Sequence, residues 1–175
     1  MNALRRLPTV TLVLASVLML GFYYTLLTHL AFAVQARRLL AVHFATIPDE
    51  PGQALAIWLH NSRLVLGIAV WMSTVAADGR LARTSIPLWV GDVLLGVWAW
   101  GTVLAAGVLL GAYGATQAKA FWPFAPVEIT AWALLLALYI DTRRRRVSIR
   151  RALAGIVAVE LLLAVAAVLE VGGLW

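Results

Sequence analysis

The chain contains no cysteine. Disulfides, thiol nucleophiles and thiolate metal sites are excluded together, while the redox compartment stays open. Charge is scarce as well. Asp, Glu, Lys and Arg make up 13% of the residues, about half the share of an ordinary soluble domain. No polar interval is long enough for a large soluble domain; the longest lies between residues 35 and 53. Several catalytic signatures are missing too. There is no GxSG, no HExxH, no dense pair of carboxylates and no glycine-rich phosphate loop with its lysine. No tract has the spacing of a haem or zinc site. Ser62 follows His60 by two positions, so the two side chains diverge on a helix. The expectation is therefore a protein that is not an enzyme and carries no cofactor.

What is present is apolar. Hydrophobic residues form 63% of the 175, and the mean hydropathy is +0.91. Runs of about twenty apolar residues recur, which predicts an all-α, polytopic transmembrane bundle in one domain. Five spans are expected, near 8–34, 54–76, 86–113, 124–140 and 152–171. Pro8 suits a first helical turn. The first apolar run exceeds a signal-peptide core and lacks a clear small-x-small cleavage site, so it reads as a retained helix. Trp58 and Trp71 stand near the two ends of the second span, as interfacial anchors do. Gly107 and Gly111 form a GxxxG step that allows close helix contact. "PDEPG" at 48–52 breaks the chain, and a re-entrant element near 120–130 is an open alternative for that region.

The formal charge is +6. A nucleic-acid partner is not expected, because the arginines cluster in short loops between apolar runs. With the N-terminus cytoplasmic, the inner segments hold Arg5, Arg6, Arg80, Arg83, Arg143, Arg144, Arg145, Arg146, Arg150 and Arg151. The outer segments hold Arg37, Arg38 and Lys119. This bias predicts N-in, C-out in a plasma membrane. The tract Arg143–Arg146 has three readings: it fixes topology, binds anionic lipid, or docks a cytoplasmic partner.

The remaining signals are polar residues within apolar spans. His60, Asn61 and Arg63 lie in "ALAIWLHNSRLVLGIAV", with Arg63 expected about 10 Å into its helix. His60, Arg63 and Gly67 share one face by spacing. Three readings stand: snorkelling to the headgroups, a structural polar network, or a substrate or ion site. Glu128, near the start of the fourth span in "FWPFAPVEITAWAL", is expected at similar depth. An Arg63–Glu128 pair is the sharpest contact expected. Glu160 lies deep in the fifth span, with three readings: interhelical glue, a contact to another subunit, or a proton relay. Asp92, near the inner end of the third span, has the arginines of the 80–83 loop close in sequence. Glu170 lies near the outer face. His29 and His43 stand isolated and need no metal.

Three segments carry a family resemblance. "LHNSRLVLGIAV" resembles the asparagine-containing helix start of the stage II sporulation protein M family, with His60–Asn61 where the family commonly has two asparagines. "FAPVEITAWALLLAL" is similar to its proline–x–x–x–glutamate segment and puts Glu128 at the glutamate; Pro126 and Val127 stand where the family has histidine–glycine. "LLLAVAAVLEVGGL" resembles its C-terminal apolar helix and puts Glu170 at the closing glutamate. The likeness spans about 55–173. It implies a helical bacterial membrane protein acting within an assembly, alongside cell-envelope proteins or transport components such as an ABC-type ATPase. The function expected is thus a non-enzymatic membrane subunit of a transporter or cell-envelope complex. The alternative is a small oligomeric transporter or channel with an intramembrane carboxylate.

Overall fold

The computed structural model describes residues 2–28, 52–77, 86–113, 123–144 and 148–172. They form five helices: α1 Asn2–Thr28, α2 Gln53–Ala77, α3 Ile86–Tyr113, α4 Ala125–Arg143 and α5 Ile149–Gly172. Each contains a stretch long and apolar enough to cross a membrane. The third is helical throughout its described residues, Ile86–Tyr113. The first differs: α1 starts at Asn2, so Pro8 lies inside the helix and not in its opening turn. The expected extension of this span to residue 34 lies outside the described residues.

Local chemistry explains the helix starts. Gly52 and Ser148 each supply a carbonyl to the fourth residue on, Ala56 N–H at 3.0 Å and Ala152 N–H at 2.9 Å. Before α4, the Phe124 carbonyl takes both the Val127 and Glu128 N–H groups at 3.0 Å. Pro126 falls within the first two helical positions, where a missing N–H costs nothing. From Pro123 onward the region reads as a turn leading into α4; residues 120–122 of the expected re-entrant alternative lie outside the described residues. Hydroxyls within the helices satisfy themselves on the backbone. Ser16 donates to the Leu12 carbonyl at 2.8 Å, Ser73 to Ala69 at 2.9 Å, Thr74 to Trp71 at 2.7 Å and Thr130 to Pro126 at 2.7 Å. Such back-bonding keeps a hydroxyl tolerable where water is absent.

The helix α4 is the hub. It packs on α1, α2 and α5; α2 also packs on α5, and α1 on α3. Half of its apolar stretch is buried, against 11–22% in the others. Its buried residues run from Ala131 to Thr142 and leave one half-buried face, Trp132, Leu136 and Ile140, so neighbours cover most of its circumference. Leu134, Leu135 and Leu138 meet Val65 and Met72 of α2 and Val159 and Leu163 of α5.

Two glycines set the tightest approach, between α1 and α3. A Cβ on Gly107 would overlap the Leu18 carbonyl oxygen and lie 2.9 Å from its carbon and 3.1 Å from its Cα. A Cβ on Gly21 would meet the Leu104 carbonyl oxygen at 2.8 Å. The two backbones touch directly there, as small residues allow.

The outer faces are apolar. On α5, Ile149, Leu153, Val157, Leu161, Val165 and Val168 are exposed in one stripe at helical spacing. Trp89, Val93, Leu94, Val97 and Trp100 form a similar face on α3.

Candidate functional sites on the polar contacts of the bundle

Polar side chains meet at three levels along the bundle. The first lies at the end of α4, in the segment Tyr139–Arg143. Arg143 clasps Asp92 of α3 through Nε, 3.2 Å from each carboxylate oxygen, and through Nη2, 3.1 Å from Oδ2. The Tyr139 hydroxyl donates to Asp92 Oδ1 and accepts from Trp71 Nε1 of α2 at 3.3 Å. One turn of α4 thereby ties α2 and α3 to itself. The Trp71 ring packs against Gly91, where a Cβ would lie 2.7 Å from Cε2.

Beside this network, Arg6 of α1 stands 3.2 Å from Asp141 Oδ1. The Asp141 side chain has no exposure, while Arg6 is 29% exposed. The contact is a charge pair without hydrogen-bond alignment, and neither carboxylate oxygen finds a donor among the described residues. Thr142 Oγ1 is buried without a partner as well. These pairs bring the start of α1, the start of α3 and the end of α4 to one end of the bundle, as alternating helices require.

The second level is Glu160 on α5. Its Oε2 accepts from Trp58 Nε1 at 3.0 Å and from Ser62 Oγ at 2.6 Å, both on α2. Its Oε1 is buried and has no partner among the described residues. The third level is Glu128 at the start of α4. It accepts from Trp132 Nε1 at 3.4 Å, and the Trp132 ring meets Trp98 edge to face at 5.3 Å. Glu170 at the end of α5 lies near enough to feel the charge of Glu128.

No family model, no curated protein and no solved structure matches this chain. The site therefore has to be read from its own geometry.

Several sequence expectations are relocated by that geometry. Glu128 and Arg63 do not pair: the two ion pairs of the described residues are Arg6–Asp141 and Arg143–Asp92. The reason is the rotation of α2. Trp58, Ser62, Val65 and Met72 face α4 and α5, and one residue further round, about 100°, Arg63 points outward. His60 and Arg63 are exposed and Asn61 is half-buried. Depth changes too. The helix begins at Gln53, so Arg63 lies about 15 Å from its start, at the middle of the apolar stretch Gln53–Thr74. Trp58 and Trp71 are not anchors at the helix ends; each turns inward because its indole N–H finds an oxygen acceptor there. Asp92 is bound by Arg143 of α4; the 80–83 loop, whose arginines the sequence puts close by, lies outside the described residues. Of the tract Arg143–Arg146, Arg143 is bound to Asp92 and Arg144 is exposed. Arg145, Arg146, His29 and His43 fall outside the description.

Sequence reasoning passed over Tyr139 and Asp141, and it gave Arg6 only a topological role. A signal existed: an aspartate two residues before an arginine run, at a span end, is already within reach of basic partners. Among the described residues, no three histidine, aspartate or glutamate side chains gather as a metal site would.

Proposed function

We propose that this chain is a multi-pass membrane protein, N-terminus cytoplasmic, that acts as a non-enzymatic subunit of a transporter or cell-envelope complex. Five apolar helices, with apolar outer stripes on α3 and α5, support the membrane location. The arginine bias between alternate loops supports the orientation.

One observation carries the subunit reading. On α2 the outward face holds His60 and Arg63 at mid-span, whereas the outward stripe of α5 is wholly apolar. A lone arginine at a helix centre costs about 2.5–3.5 kcal/mol to leave in lipid. Among the described residues the polar contacts between helices are made by other side chains, and Arg63 ties none of these helices together. A neighbouring transmembrane element that covers the α2 face offsets that cost. The resemblance to the stage II sporulation protein M family, whose members act in assemblies, points the same way.

The rival reading is a small transporter working through Glu160, and its buried Oε1, without a partner among the described residues, favours it. Photo-crosslinkers placed at Gly67 on α2 and at Val157 on α5, in native membranes, separate the two. The subunit reading expects protein adducts of a second membrane polypeptide from position 67 and lipid adducts alone from 157. Lipid alone from both positions, with the chain carrying solute by itself, would refute it.

A further inference from the structure

Resting on that reading, we infer that the partner of the α2 face is a transmembrane helix of another protein that carries a carboxylate near its own midpoint. The face is defined by His60, Arg63, Gly67, Val70 and Thr74. All are exposed, and their spacing of three and four residues places them on one side of α2. A Cβ on Gly67 would have nothing within 4 Å. The surface therefore combines a positive charge, a second donor one turn earlier and a flat step where a helix backbone can come close.

Charge decides the occupant. Arg63 is about 15 Å from Gln53 and equally far from the other end of the stretch Gln53–Thr74. That is more than an arginine's own length, so headgroup phosphates do not satisfy it at either end. The acid must come from within the hydrophobic layer. A second copy of this chain does not supply it. Every aspartate and glutamate among the described residues is buried or half-buried. Asp92 is clasped by Arg143, Asp141 faces Arg6, Glu160 holds Trp58 and Ser62, Glu128 holds Trp132, and Glu170 lies at the end of α5, away from mid-span. Asp49, Glu50 and Asp78 lie outside the apolar stretches. A guanidinium matches a carboxylate through two parallel N–H donors, and away from water that match discriminates strongly against an uncharged helix.

The test uses the purified full chain in phosphatidylcholine vesicles with synthetic leucine–alanine transmembrane peptides. The central peptide residue is Glu, Gln, Leu or Lys. Because the chain has no cysteine, Ser148→Cys gives one labelling site for energy transfer to a labelled peptide. The Glu peptide is expected to associate at least tenfold more tightly than the Leu peptide, with Gln between them and Lys weakest. Arg63→Leu should erase the ranking, and Arg63→Lys should keep its order with a smaller spread. Helical circular dichroism should match that of the parent chain in both variants, since position 63 is exposed. Equal binding of Glu and Leu peptides, or a ranking that survives Arg63→Leu, overturns the inference. So does a crosslink from position 67 to a second copy of the chain. Failure of the peptide ranking leaves the subunit reading standing, since that reading depends on what position 67 touches in native membranes.

Discussion

Replacing Gly107 by alanine tests the α1–α3 contact with a single methyl group. The added carbon would overlap the Leu18 carbonyl oxygen and lie 2.9 Å from the carbonyl carbon, where two carbons rest at about 3.5–4.0 Å. Backbone on one side and helix on the other leave no flexible side chain to yield. The helices must therefore separate by roughly half an ångström to an ångström, enough to forfeit a quarter to a half of the dispersion energy at that contact. Overpacking of this kind costs about 1–3 kcal/mol. Against it stands the propensity gain of alanine over glycine in a helix, up to about 1 kcal/mol. Gly96→Ala isolates that gain, because nothing lies within 4 Å of its Cβ position. Equilibrium unfolding in mixed micelles should rank Gly96→Ala at or above the parent and Gly107→Ala below it. Equal stability of the two variants would refute the direct backbone contact between α1 and α3.

Two further substitutions probe the buried carboxylates. Arg6→Ala leaves Asp141 without its countercharge and should cost about 3–5 kcal/mol in the same unfolding assay; adding Asp141→Asn should recover most of it, and no recovery would show that Arg6 acts through packing alone. Ser62→Ala removes the 2.6 Å donor to Glu160 and should cost about 1 kcal/mol. That cost should vanish in a Glu160→Leu background, and an undiminished effect there would break the proposed link.

The number and type of elements were legible because long apolar runs have one outcome in a chain of this composition. The apolar run Ile86–Tyr113 is helical along its whole length. The sites were less legible, for a definite reason. Spacing fixes which residues share a face within one helix, so His60, Arg63 and Gly67 were correctly grouped. It does not fix how that helix is turned toward its neighbours. A helix such as α2 is apolar nearly all round and gives little rotational signal, so Arg63 was aimed at Glu128 while Ser62, dismissed as a nucleophile, became the residue that faces Glu160. Depth slipped as well, since Trp58 looked like an interfacial marker but spends its indole on a carboxylate. Asp92 shows the same limit: its partner was sought nearby in sequence, whereas the packing of α3 beside α4 brings Arg143, some fifty residues away.

The crowding of ties onto Tyr139–Arg143 has a consequence for biogenesis. When α1 and α3 leave the ribosome, Arg6 and Asp92 have not yet met the residues that neutralise them, and those residues come from the next-to-last helix. Assembly is thus held open until α4 arrives and closes on both at once. A chain interrupted before Tyr139 keeps two unmatched charges, the sort of defect by which quality control recognises an unfinished membrane protein.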